Sequence, residues 1–330
     1  MIKYIVLSNS TQWCYNCWKS AVDGDRVRYF SELVPFEGNR FFSKVCTLHY
    51  RVHLKHLSLL PFTNIWYRRI ENALKIDDKV DTVIIVYDWH RLSRDFDLLR
   101  YLRERHHNLH IVYLFSNIVK VTGARLFGIL LDLNSQYDAV YAFDKQDAKE
   151  YNFDFSPLIY TTSQTLPVYS NDFEYDLFYL GRAKDRYDTL IEVFEKAKSE
   201  GLKCNFTIVG VPKECRKYQD EISYDPIPYA QALDNMGKSK CIVDMIQGGS
   251  TALTIKTCEA VLLGRKLLTS NQNVVNEPFY HSDNIHIYNP TDCISDFINR
   301  PYIPYTKEDC YYFSPENLFD KIESKLFVTK

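Results

Sequence analysis

The sequence has no apolar run approaching the ~20 residues needed to span a bilayer, so no transmembrane helix is expected. Its opening, Met1-Ile2-Lys3-Tyr4-Ile5-Val6-Leu7, is too short for a signal-peptide core and runs straight into polar residues. A cytoplasmic protein is therefore expected. Net charge is nearly absent: 40 basic residues against 42 acidic ones leave −2, with no global pull toward nucleic acid. No G-x-G-x-x-G opens either half, which sets a dehydrogenase aside. One C-x-x-C exists, Cys14 and Cys17, without a second pair or histidines at ligand spacing. It is read as two free thiols near a loop rather than a zinc site. Cys204, Cys241 and Cys258 sit in apolar runs, the pattern of a reduced chain using cysteine as a small hydrophobe.

What is present fits a soluble globular chain. Apolar residues make up 46 % and charged residues 25 %. At 330 residues the chain is long for one core, and about two domains are expected. Aromatics reach 15 %, mostly Tyr and Phe, which codon bias explains better than a ring-binding role.

Both halves alternate a buried strand with an amphipathic helix. In the first, residues 4–7, 83–87, 110–115 and 139–143 read as strands. Ser93 is expected to cap a helix presenting Phe96, Leu99 and Leu102 on one face, and further helices are expected at 126–133 and 147–151. Residues 157–176 lapse into linker composition. The rhythm then restarts, with strands at 177–180, 205–209, 241–245, 266–269 and 285–287. Helices are expected at 189–199, closed by Gly201, and at 229–239, 255–263 and 314–327. This alternation predicts an α/β protein with two doubly wound, Rossmann-like parallel sheets facing across a cleft.

The most informative stretch runs from Cys241 to Ala260. A buried strand ends, a glycine-rich polar loop (Gln247-Gly248-Gly249-Ser250-Thr251) turns, and a helix begins near Thr254. The amides and dipole of a helix start make an anion site, and Lys256 adds a cation in the first turn. Glu259, one turn on, is placed to accept both hydroxyls of a ribose. The strand ending Gly181-Arg182-Ala183-Lys184-Asp185-Arg186 brings three more cations to a carboxyl edge, where a diphosphate needs neutralising.

Gly181-Arg182 followed by a helix, then the Glu259-Ala260 helix with Gly264 and a strand at 266–269, resembles the donor half of GT-B glycosyltransferases. The likeness is closer to bacterial enzymes of capsule, exopolysaccharide and lipopolysaccharide synthesis. It covers residues 176–270, and the first half by architecture alone. The resemblance implies an acceptor-binding domain at 1–160, a linker at 161–175 and a nucleotide-sugar-binding domain at 176–312. A last helix within 313–330 is expected to pack back toward the first domain. It places the donor's pyrophosphate on Gly181, Arg182 and Lys184 or Arg186, and the ribose on Glu259. The Gly210 loop and residues 222–229 would read the base. Gln247, Ser250, Thr251, Thr254 and Lys256 complete the donor side. Retaining members carry a second glutamate eight residues before the helix glutamate; Thr251 stands there, which favours inversion.

In the first half, Asp88 and His90 close a buried strand and are candidates for the general base. Asn9, Ser10 and Trp13 are expected to line the acceptor side. Asp95 and Asp97 form a D-x-D, but in a helix's first turn, where acids complement the dipole. Neither metal nor cofactor is implied; the partners expected are a nucleotide-sugar donor and a glycan or lipid-linked oligosaccharide acceptor. Residues 38–70 contain no acid, while Arg40, Lys44, Arg51, Lys55, Arg68 and Arg69 alternate with aromatics, which suits an anionic membrane surface. A non-hydrolysing epimerase of the same fold and a non-catalytic sugar-nucleotide-binding protein are the competing readings.

Overall fold

The computed structural model describes residues 1–8, 12–22, 24–31, 44, 48, 63–88, 90–119, 133–161, 173–248 and 251–328. The chain divides into two compact units, Met1–Ser156 with Lys321–Lys330, and Pro157–Asp320.

The first unit runs β1 (Lys3–Leu7), α1 (Gln12–Val22), β2 (Val27–Phe30), α2 (Thr63–Leu74), β3 (Thr82–Tyr87) and α3 (Phe96–Arg105). It continues with β4 (Leu109–Leu114), α4 (Leu133–Gln136), β5 (Ala139–Ala142), α5 (Lys145–Tyr151) and β6 (Asp154–Phe155). The six strands pair in the order β2-β1-β3-β4-β5-β6, every pair parallel. All six residues of β3 are buried, as a continuous apolar run between two helical layers requires. The order reverses between β1 and β3, and Asp88 follows β3 at that point. One core unites Ile5, Ile84, Leu98, Ile111 and Val140 from strands and helix.

The second unit comprises β7 (Tyr175–Arg182), α6 (Tyr187–Ser199), β8 (Cys204–Val209), β9 (Ile222–Ser223), α7 (Tyr229–Gly237) and β10 (Ser239–Asp244). After them come α8 (Ile255–Leu262), β11 (Lys266–Thr269), β12 (Ile285–Ile287), α9 (Ile294–Ile298), α10 (Lys307–Tyr311) and α11 (Pro315–Leu326), the last of which crosses into residues of the first unit. Its sheet is also parallel throughout, in the order β12-β11-β10-β7-β8-β9. From β7 the chain winds outward through β8 and β9, then returns to β10 on the other side of β7. The carboxyl ends of β7 and β10 therefore flank the switch point, where such sheets leave a ligand crevice.

Helix α6 ends as expected, with Gly201 at φ +77° and its N–H bonded to the Lys198 carbonyl at 3.0 Å. Two local expectations are corrected. The cap of α3 is Asp95, whose carboxylate accepts the Leu98 N–H at 3.0 Å. Ser93 lies in a preceding 3-10 turn, and its hydroxyl donates to the Asp88 carbonyl. A carboxylate two residues nearer the helix outcompetes a hydroxyl because it also complements the dipole. Leu98, Leu99 and Leu102 are the buried residues of α3, while Phe96 is half-buried. Cys14 and Cys17 lie not near a loop but on α1, at i and i+3, both facing the core at 4 % and 3 % exposure. The helix expected at 126–133 falls outside the described residues, except for Leu133, which opens α4.

Candidate functional site

Three of the elements that meet at the second switch point are loops and a helix end fixed by side chains. The loop after β7 and the loop after β10 are tied together three times. Arg186 donates to the Met245 carbonyl at 2.6 Å, Lys184 to Gln247 Oε1 at 2.8 Å, and the Gly248 N–H to Asp185 Oδ2 at 2.9 Å. Arg186 also donates to the Arg182 carbonyl at 2.9 Å. Its guanidinium is thereby a brace between two strand ends. Lys184 adopts φ +46°, a left-handed turn that folds the loop back on itself and is unusual for a residue with a side chain.

Arg182 ends β7, is exposed, and makes no ion pair or side-chain hydrogen bond with any described residue. Its strand partner is Val209, and Gly210 follows in the next position with φ +85°. Gly181 leaves room for its neighbours: a Cβ there would lie 2.8 Å from the hydroxyl of the buried Tyr179, which would have to shift, and 3.4 Å from Lys256 Nζ. Lys256 thus reaches from α8 to the tip of β7, with its ammonium 5.2 Å from the centre of the Tyr179 ring. Its side chain is 13 % exposed. That burial holds the ammonium below the usual lysine range, against the pull of the Asp244 carboxylate.

The amino end of α8 is capped by its own chain. Thr254 accepts the Lys256 N–H at 3.1 Å and donates its hydroxyl to Asp244 Oδ2 at 2.6 Å. The Thr257 hydroxyl donates to the same oxygen at 3.3 Å. Of the first-turn amides of α8, the Lys256 N–H is thereby taken up by the Thr254 hydroxyl.

Glu259 is 1 % exposed and accepts the Tyr229 hydroxyl at 2.7 Å; Tyr229 in turn lies 2.5 Å from the Tyr160 hydroxyl. Burial pushes the Glu259 carboxyl up to about 7, although Tyr229 and the Lys256 ammonium both favour its charged form. The Tyr160 hydroxyl also hydrogen-bonds the Glu259 carboxylate, so both tyrosines stabilise its charged form.

Gln247 is exposed and Thr251 half-buried; Ser250 lies outside the described residues. The structure thus gathers Gly181, Arg182, Lys184, Arg186, Gln247, Thr254, Lys256 and Glu259 about one switch point, with Gly210 beside Arg182. In the first unit, Asp88 is 6 % exposed and accepts the Ser116 N–H at 3.3 Å and, more closely, the Ser116 hydroxyl. His90 is 4 % exposed, and its Nδ1 accepts the Leu92 N–H at 3.3 Å. Asn9 and Ser10 fall outside the described residues, as does the Trp13 side chain. Among the described residues no group of three His, Cys, Asp or Glu is placed to hold a metal. No described helix is long and apolar enough to cross a membrane.

Sequence reasoning missed Asp244, Tyr179 and Tyr160. Asp244 was visible as the acid ending a buried strand, but only the fold shows that it turns inward to α8. Tyr160 lies 99 residues from Glu259 along the chain, and nothing local connects them.

No protein-family model matches this chain, and neither does any curated protein. Solved structures do. TarM superposes with a TM-score of 0.51 at 14 % identity, over 79 % of this chain and 58 % of TarM, so the chain spans less than two thirds of that protein. AviGT4, a glycosyltransferase involved in avilamycin A biosynthesis, superposes with a TM-score of 0.52 at 11 % identity, over 98 % of this chain and 97 % of its own. A UDP-N-acetylglucosamine 2-epimerase from Rickettsia bellii reaches 0.45, too low to support an inference. At such identities the likeness establishes the fold alone. This is an α/β chain of two parallel six-stranded sheets with the GT-B glycosyltransferase fold.

Proposed function

We propose that this chain is a glycosyltransferase that takes its sugar from a nucleotide-diphosphate donor seated at the β7/β10 switch point. The observation that carries the reading is Arg182. It is an exposed guanidinium without a partner among the described residues, at a strand tip kept clear by Gly181 and joined there by Lys256. The acceptor is a glycan or a lipid-linked oligosaccharide, in the synthesis of a cell-surface polysaccharide such as capsule or lipopolysaccharide.

In the reaction the acceptor hydroxyl attacks the anomeric carbon, the bond from that carbon to the diphosphate oxygen breaks, and its electrons leave on the nucleotide. Arg182 and Lys256 stabilise that charge without a metal, and Glu259 holds the ribose. Thr251 in place of a second glutamate favours inversion, which needs a base for the acceptor proton. Asp88 fits that role better than His90. With Nδ1 accepting from Leu92, the neutral His90 ring carries its proton on Nε2 and has no free lone pair to act as a base. Asp88 stands beside the first unit's own switch point, directly after β3.

A thermal-shift screen of nucleoside diphosphates and their sugars tests this. One of them is expected to stabilise the protein by about 2.7 kcal/mol at a hundred times its dissociation constant. Arg182→Ala should weaken that ligand about 10–100-fold, the worth of charge-assisted hydrogen bonds, while leaving the unliganded melting temperature in place. Arg186→Ala should lower the unliganded melting temperature instead. No response to any nucleotide sinks the assignment. Conversion of a nucleotide-sugar without acceptor identifies an epimerase, and binding without turnover a binding protein.

The acid-free segment 38–70 suggests contact with an anionic membrane surface during catalysis. Flotation with vesicles containing phosphatidylglycerol should recover the protein at low salt and release it as salt rises. Equal recovery with neutral vesicles counts against such contact.

A further inference from the structure

We infer that Asp244 is a positioning residue of the donor site: its carboxylate sets the amino end of α8 through two threonines and supplies the counter-charge that keeps the Lys256 ammonium aimed at the tip of β7. The inference rests on the donor reading above and adds the device that makes a buried lysine usable there.

Asp244 is the last residue of β10 and is fully buried. Oδ2 accepts the hydroxyls of Thr254 and Thr257, so the carboxylate holds the cap residue of α8 and the residue three places into the first turn. Among the described residues Oδ1 has no hydrogen-bond partner, and it lies 4.0 Å from Lys256 Nζ. A buried carboxylate oxygen left open is costly unless a charge faces it. The arrangement explains a local conflict. Lys256 puts a cation in the first turn of a helix, where the dipole already presents about half a positive charge. Its stem is enclosed, with the Tyr179 ring of β7 on one side. Lys184 and Arg186, from the loop after β7, add further positive charge, and Glu259, from α8 itself, adds a negative one. Asp244 is the acid that contacts the cap and the ammonium together. A diphosphate arriving at Arg182 then meets a charged lysine already in place, at the cost of some repulsion from Asp244.

That double role predicts a change of sign with pH. In Asp244→Asn, hydrogen bonds to the threonines are retained but the counter-charge is lost, so Lys256 releases its proton at lower pH than in the wild type. The first measurement is a 13C NMR titration of the reductively dimethylated protein, with the Lys256 signal assigned from its absence in Lys256→Arg. Its midpoint should fall by more than one pH unit in Asp244→Asn; an unmoved midpoint overturns the inference whether or not any nucleotide binds. The second is calorimetric binding of UDP, with GDP and inorganic pyrophosphate in parallel. At pH 6.5 Asp244→Asn should bind the diphosphate that the wild type binds at least as tightly as the wild type does, since a repelling charge has gone. At pH 9 it should bind at least tenfold more weakly. Equal weakening at both values would mean that Asp244 only stabilises the fold. Lys256→Arg, which cannot deprotonate, should bind with no decline toward pH 9; a decline that persists there removes Lys256 from the explanation. Failure of UDP, GDP and pyrophosphate alike to bind the wild type would refute the donor reading, while the NMR titration still decides the pairing of Asp244 with Lys256.

Discussion

Asp88→Asn is expected to lower kcat by about 10²–10⁴-fold, the usual contribution of a general base, with a melting temperature close to that of the wild type. The separation of the two effects follows from the contacts. Asp88 Oδ1 accepts from the Ser116 N–H and hydroxyl, and an asparagine amide oxygen can accept both. What the amide lacks is a site basic enough to take the acceptor's proton. KM for the donor should barely move, because the proposed donor site is built from residues of the second unit. His90→Gln should behave in the opposite way. Loss of the ring nitrogen that caps the turn at 91–94 lowers stability by about 1 kcal/mol and leaves kcat within a few-fold. Steady-state kinetics of both variants, with the anomeric configuration of the product read by NMR, check the assignment. An Asp88→Asn enzyme that keeps wild-type kcat, or a product with retained configuration, removes the base from this position.

The second large effect concerns Glu259. Its carboxyl titrates at about 7 in the folded protein and near 4.5 when exposed. Between those values the unfolded chain has released the proton and the folded chain still holds it. Rising pH therefore favours unfolding across that window, and the loss is complete above pH 7. Over about 2.5 pH units, at about 1.4 kcal/mol each, the effect is of order 3 kcal/mol. Glu259→Gln keeps an oxygen for Tyr229 but cannot ionise. It should match the wild type at pH 4.5 and exceed it at pH 8 by about 3 kcal/mol, or about 6–12 °C in melting temperature. Chemical denaturation of both proteins across that range is the measurement. A stability difference that does not change with pH would show that the carboxyl ionises normally. The same titration links to function. If the ionised carboxylate holds the ribose, nucleotide affinity in the wild type rises with pH up to about 7. Glu259→Gln binds weakly throughout.

Burial moves both Glu259 and Lys256 toward their neutral forms, the carboxyl upward and the ammonium downward. Arg186, by contrast, is balanced by two backbone carbonyls and contributes rigidity.

Read alone, the sequence determined the alternation of buried strands and helices, because a strand covered on both faces must be apolar along its whole length, and 83–87 and 241–243 are. It also determined which residues stand at strand ends and helix starts, since Gly181-Arg182 and Thr254 through Glu259 mark those boundaries by composition. The tertiary structure decided what the side chains do there. Whether a cation binds ligand or braces backbone depends on atoms more than fifty residues away, as Arg186 with Met245 and Lys184 with Gln247 show. Asp95 displaced Ser93 as a cap through geometry that pattern cannot resolve. The proton affinity of Glu259 depends on how completely the second unit encloses it, and enclosure is a property of the packed chain, carried by Tyr229 and Tyr160 across 30 and 99 residues.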